Sequence, residues 1–60
     1  MSSEKLYNDI KELFNEFETN HSIFTEKGNK AAGTRARKAI GEIKKLVTDY
    51  RKASVSESKS

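Results

Sequence analysis

The sequence predicts an all-α protein, an antiparallel two-helix hairpin. Three observations carry that expectation. Apolar residues recur in steps of three and four along two segments, Gly28-Asn29 forms the one strong break between them, and proline is absent throughout. Steps of three and four put side chains on one face of a helix, whereas a half-buried strand would alternate.

The first segment carries Leu6, Ile10, Leu13, Phe17 and Phe24, with Asn20 in the slot between the last two. Tyr7, Phe14 and His21 form a second column beside this seam. Their helical spacing makes core packing the expected role of the aromatics, and partial packing that of His21. Ser2 or Ser3 suits the N-cap because a hydroxyl can accept from the free amides of the first turn, and Glu4 suits the positive end of the helix dipole. The helix is expected over 3–26, with weak propensity at Thr19-Asn20-His21-Ser22. Gly28 suits the position just past a helix end, since it adopts positive φ without a Cβ clash.

The second segment repeats the pattern with Ala36, Ile40, Ile43, Val47 and Tyr50, and Ala39 and Leu46 widen the stripe. A helix is expected over 30–53. Gly33 and Gly41 each cost up to about 1 kcal/mol in a helix interior. They read either as tolerated weakness or as sites where another backbone comes close. The domain is therefore expected to span 1–53, with the Ser-rich residues 54–60 as a disordered tail. A break this short folds the helices back on each other. Both stripes are about three columns wide, more than a two-stranded seam requires. Dimerisation into a four-helix bundle is one way of covering the remainder.

Sixty residues bury only about 60% of the surface their unfolded chain exposes, so the core is small. With no cysteine and a single histidine, disulfides and thiolate metal sites are excluded, and no metal or cofactor is expected. The stretch from Gly28 to Thr34 lacks both the spacing and the preceding strand of a phosphate-binding loop. So thin a hairpin offers no pocket to tune Glu12, Glu16 or Glu26, so neither an enzyme nor a small-molecule substrate is expected. No apolar run reaches the roughly 20 residues of a membrane span, and MSSEKLYND lacks the features of a signal peptide. Cytoplasmic residence follows as an expectation.

Charge is divided unevenly. Residues 1–26 hold two lysines against six acids, a net −4, whereas residues 27–52 hold nine Lys/Arg against two acids, a net +7. Within the second helix Arg37-Lys38, Lys44-Lys45 and Arg51-Lys52 are pairs seven residues apart, with Lys30 and Arg35 extending them backwards. Seven residues are close to two turns, so the pairs stack along one side about 10 Å apart. Such a ridge matches a phosphate backbone, where each neutralised phosphate releases counterions. Lys30, Arg35, Arg37, Lys38, Lys44, Lys45, Arg51 and Lys52 are thus the candidate nucleic-acid-binding residues, with DNA and RNA equally open on charge alone. Another acidic partner, or an ordinary solvated face paired with Asp9, Glu16 and Glu18, would also account for the charge. A hairpin that docks its apolar stripe on a partner protein is the alternative function.

The stretch KGNKAAGTRARKAIGEIKKL, residues 27–46, resembles the bacterial histone H1-like proteins known from chlamydiae, with short forms in Bacteroidetes. The likeness is densest over GNKAAGTRARK and extends, with the acidic aromatic-seamed first helix, over about residues 4–52. The resemblance implies non-specific DNA binding, a role in compacting or organising the bacterial nucleoid, and a nucleoid location. The family's DNA binding is usually credited to a long Lys/Ala/Pro-rich tail. Here only ASVSESKS follows the second helix, so the ridge is expected to bind alone, moderately and with marked salt sensitivity.

Overall fold

The computed structural model describes residues 2–59 and consists of two helices, α1 (Ser3–Lys27) and α2 (Lys30–Ser58). They lie antiparallel in a rod of 48 × 14 × 13 Å. Local chemistry explains both ends of the link. Ser2 is the N-cap of α1, its hydroxyl accepting from the Lys5 amide at 3.3 Å. Gly28 ends α1 in the left-handed conformation (φ 64°, ψ 25°). Asn29 starts α2, its Oδ1 accepting from the Ala32 amide at 3.1 Å. One residue stops a helix and the next begins another, leaving no slack for a different topology.

The α1 seam is the expected one as far as Asn20: Leu6 and Asn20 are buried, and Ile10, Leu13 and Phe17 are half-buried, whereas Phe24, also expected in it, is 39% exposed. On α2 the seam sits one column away from expectation. Ala32, Ala36 and Ala39 are buried and Ile43 and Leu46 half-buried, whereas Ile40 and Val47 are 44% and 43% exposed. Small side chains at the centre let the helices approach closely, so Leu6, Leu13 and Phe17 of α1 fill the space between them. Turning the alanines inward carries Ile40 and Val47 to the flank. Tyr7 and Phe14, expected in the core, correspondingly stand 52% and 50% exposed. His21 is exposed but stacks on Phe17, with ring centres 5.9 Å apart.

The two helical glycines separate. A Cβ at Gly33 would stand 2.7 Å from Cδ1 of Phe24, so the close neighbour is an aromatic ring rather than a backbone. Gly41 has nothing within 4 Å of that position.

The expected disordered tail is a correction over residues 54–58, because α2 continues to Ser58. Ser60 and Met1 lie outside the described residues. Within this extension the Ser54 hydroxyl donates to the Arg51 carbonyl and the Ser58 hydroxyl to the Ser54 carbonyl. The extension is also anchored at long range. The Glu57 carboxylate accepts from the Ser3 amide at 2.7 Å and from the Ser3 hydroxyl at 2.6 Å. These bonds, the hydroxyl's first and the amide's second, hold the Glu57 carboxyl below its ordinary range. An acid from α2 thereby satisfies a first-turn amide of α1 that has no intrahelical partner.

Candidate nucleic-acid interface

With Ala32, Ala36, Ala39 and Ile43 facing α1, the helical period fixes what faces outward on α2. Lys30, Arg37, Lys44 and Arg51 form one column, and Lys38, Lys45, Lys52 and Lys59 form a second beside it. All eight residues are exposed. Thr34, Gly41 and Thr48 run between the columns, each four residues from a member of both. The result is two cationic rails over a floor of small residues, about 43 Å long at 1.5 Å per residue. Arg37 leans across that floor, donating from Nη2 to Thr34 Oγ1 at 3.3 Å.

Arg35 is set apart. It lies on the flank between the second rail and α1, where its Nε donates to Asn20 Oδ1 at 2.8 Å. Asn20 in turn donates from Nδ2 to the Glu16 carbonyl at 2.9 Å. A buried amide in an otherwise apolar seam would be costly unpaired. Here both of its polar atoms are satisfied, and Arg35 serves the hairpin. The sequence spacing brought seven of the eight candidate cations together on one face, and it missed Lys59. The signal for Lys59 was present, since it follows Lys52 by seven residues, but assigning 54–60 to a tail hid it.

The acids of α1 do not neutralise the rails. Among the described residues the one ion pair is Lys5–Asp9, within α1, at 3.3 Å. Asp9, Glu16, Glu42 and Asp49 gather on the flank that also holds Arg35. Glu16 and Glu42 line one groove with Leu13, Lys38 and Ala39, and Asp49 lies in another beside Leu6. The opposite flank carries Tyr7, Phe14, Ile40 and Val47. The hairpin therefore has four distinct sides: a cationic α2 face, an acid-rich α1 face, an acidic flank and an apolar flank.

Among the described residues no group of three or more His, Cys, Asp or Glu side chains is placed to hold a metal ion. No helix among them is long and apolar enough to cross a membrane.

A search of curated proteins found no match, and a search of solved structures found none either. The family model described as histone H1-like protein Hc1 matches residues 4–60, nearly the whole chain. The match takes in both helices and the full length of the rails. On that coverage the chain belongs to the histone H1-like Hc1 family, a family of DNA-binding nucleoid proteins that are structural rather than enzymatic.

Proposed function

We propose that the chain binds duplex DNA through its phosphates, without reading base sequence, and contributes to organising or compacting the nucleoid of the bacterial cytoplasm. The observation that carries this reading is the pair of exposed cation columns on α2, with no carboxylate between them. Lysine and arginine ammonium and guanidinium groups spaced along a straight rod suit a polyanion of regular charge spacing. Base readout calls for side chains that offer paired donors and acceptors to a base edge. Asn29 is the residue near the rails with such an amide, and its oxygen is committed to the α2 cap.

The proposed contacts are Lys30, Arg37, Lys38, Lys44, Lys45, Arg51 and Lys52, with Lys59 extending the second rail. Arg35 is left out because its Nε is engaged by Asn20. If about five phosphates are engaged, the slope of log K against log[salt] is expected near −4 to −5. Electrophoretic mobility shift on random-sequence duplex across a salt series measures it. Replacing Arg37, Lys38, Lys44 and Lys45 together with Gln should abolish the shift while circular dichroism retains the helix signal. A salt-independent affinity, or binding that survives the four substitutions, would overturn the electrostatic reading.

A second reading is favoured by one observation, the apolar flank of Tyr7, Phe14, Ile40 and Val47, which suits a protein partner. A homodimer seated on that flank would leave the second rail, Lys38, Lys45, Lys52 and Lys59, open to DNA, while the first rail borders the flank.

A further inference from the structure

We infer that the groove at the open end of α2, lined by Thr48, Arg51, Lys52, Val55, Ser56 and Lys59, is a subsite for the sugar–phosphate backbone of DNA, and that Val55 selects deoxyribose over ribose there. The inference rests on the phosphate-binding reading above and adds to it a residue that tells DNA from RNA.

Charge alone gives no such discrimination, because both nucleic acids present a row of phosphates. What differs is the sugar: ribose carries a hydroxyl at its 2′ carbon where deoxyribose carries a methylene. In either chain each sugar lies between two phosphates. A side chain that separates the two must therefore be apolar and must stand between phosphate-binding groups.

Val55 meets both conditions. It follows Thr48 by seven residues and so continues the line of Thr34, Gly41 and Thr48 between the rails, four residues from Arg51 and four from Lys59. It is 53% exposed. The column of Ile40 and Val47 runs on to Ser54, so Val55 is no part of the apolar flank. The rails lie away from the seam, so its exposure does not follow from packing against α1. The helix continues through Ser58, which keeps Val55 in register with the cations around it.

The groove encloses about 590 Å³, against about 170 Å³ and 280 Å³ for the two on the acidic flank. Three cations and two hydroxyls surround one apolar side chain. Ammonium, guanidinium and hydroxyl groups all bond phosphate oxygens. The apolar surface between them suits the part of the backbone that carries no charge. The nearest acids are directed elsewhere: Glu57 is held by Ser3, and Asp49 lines the groove beside Leu6. A ribose seated here would bring its 2′ hydroxyl against the Val55 methyls, which offer no hydrogen bond in exchange for the water it loses. A deoxyribose brings a methylene, and two apolar surfaces leave water together.

The test is Val55→Thr, which keeps the shape of the side chain and exchanges one methyl for a hydroxyl at an exposed position. Mobility shifts on random-sequence DNA and RNA duplexes of equal length should show DNA affinity about fourfold lower, the effect of one buried methyl, with RNA affinity unchanged or higher. The different shapes of the two duplexes act alike on both proteins and cancel in the ratio. The salt slope should stay that of the unaltered chain, because no charge is removed. Lys52→Gln, by contrast, should lower the slope by about one on both duplexes. Val55→Ala, which favours the helix, should also lose DNA affinity, and this separates a lost contact from fraying of the last turns. Equal losses on DNA and RNA in Val55→Thr would overturn the inference. So would a larger loss on RNA, a changed salt slope, or undiminished DNA binding by either Val55 variant. Absence of any shift by the unaltered chain at low salt would instead overturn the phosphate-binding reading beneath it.

Discussion

The two ends of the hairpin are held by different means. At the turn, helices linked by two residues pack through Ala32, Gly33 and Ala36, with Phe24 lying against Gly33 and a buried amide, Asn20, gripping Arg35. At the open end there is no covalent link. One wholly buried side chain, Leu6 at 1% exposure, and one surface clasp, Ser3 to Glu57, keep α1 and α2 together. The turn end spends many small contacts on alignment, and the open end relies on a wedge. The difference matters for function because the rails run the whole length. Lys30 and Arg37 ride on the aligned end, and Arg51, Lys52 and Lys59 on the wedged one.

The largest expected effect lies at the wedge. Leu6→Ala removes what is, among the described residues, the one large side chain that is fully buried, and such truncations cost about 2–5 kcal/mol. For a 60-residue chain of small core that is a sizeable share of total stability. Urea denaturation should show the midpoint fall sharply. Hydrogen exchange should show the ends of both helices opening before residues 20–36. Uniform loss of protection along the rod would break the distinction between the two ends.

A smaller effect is expected at the grip. Asn20→Ala deletes the acceptor of the Arg35 bond and the donor to the Glu16 carbonyl. Arg35 is exposed and can turn to water, so the cost should be that of an ordinary hydrogen bond, about 0.5–1.5 kcal/mol. Arg35→Gln should change thermal stability by a similar amount while leaving the salt slope of DNA binding unaltered, in contrast to Lys45→Gln. A slope reduced equally by both substitutions would return Arg35 to the rails.

The same contrast explains what could be read before the structure. The start of α1 and the break at the turn were legible because each is decided locally, by Ser2 at the open end and by Gly28 and Asn29 at the turn, acting on their own neighbours. The cation columns were legible because a period of seven survives any rotation of the helix. The α2 seam was displaced by one column, because hydrophobicity ranks Ile40 and Val47 above alanine whereas close helix approach favours Ala32, Ala36 and Ala39. The grip and the clasp were illegible. Asn20–Arg35 depends on which α2 residue stands level with position 20, and Ser3–Glu57 joins residues 54 apart in the chain. A serine-rich segment looks like a tail until the residue that anchors it is known. Lys59 was lost from the rail for that reason.

The clasp is the weakest of these devices, and acid isolates it. Glu57 is held below its ordinary value in the folded state by the Ser3 hydroxyl and amide, so its ionised form favours the folded contact. A carboxyl lowered in this way contributes fully above the ordinary value of 4.5, and the contribution is lost as pH falls through the lower folded value. Below 4.5 the Ser3 amide proton resonance should therefore move, and carbon shifts of residues 54–58 should drift from helical values while those of residues 30–46 hold. Other carboxylates titrate nearby, so Glu57→Ala provides the control. It should show the loosened 54–58 signals already at neutral pH, with no further step in those residues on acidification. Because the contact is at the surface, the denaturation midpoint should move little. If residues 54–58 keep helical shifts in Glu57→Ala, the clasp is not what orders them and the open end is held by Leu6 without help. If they loosen, the last turn of α2, and with it the Lys59 end of the rail, depends on a single exposed carboxylate.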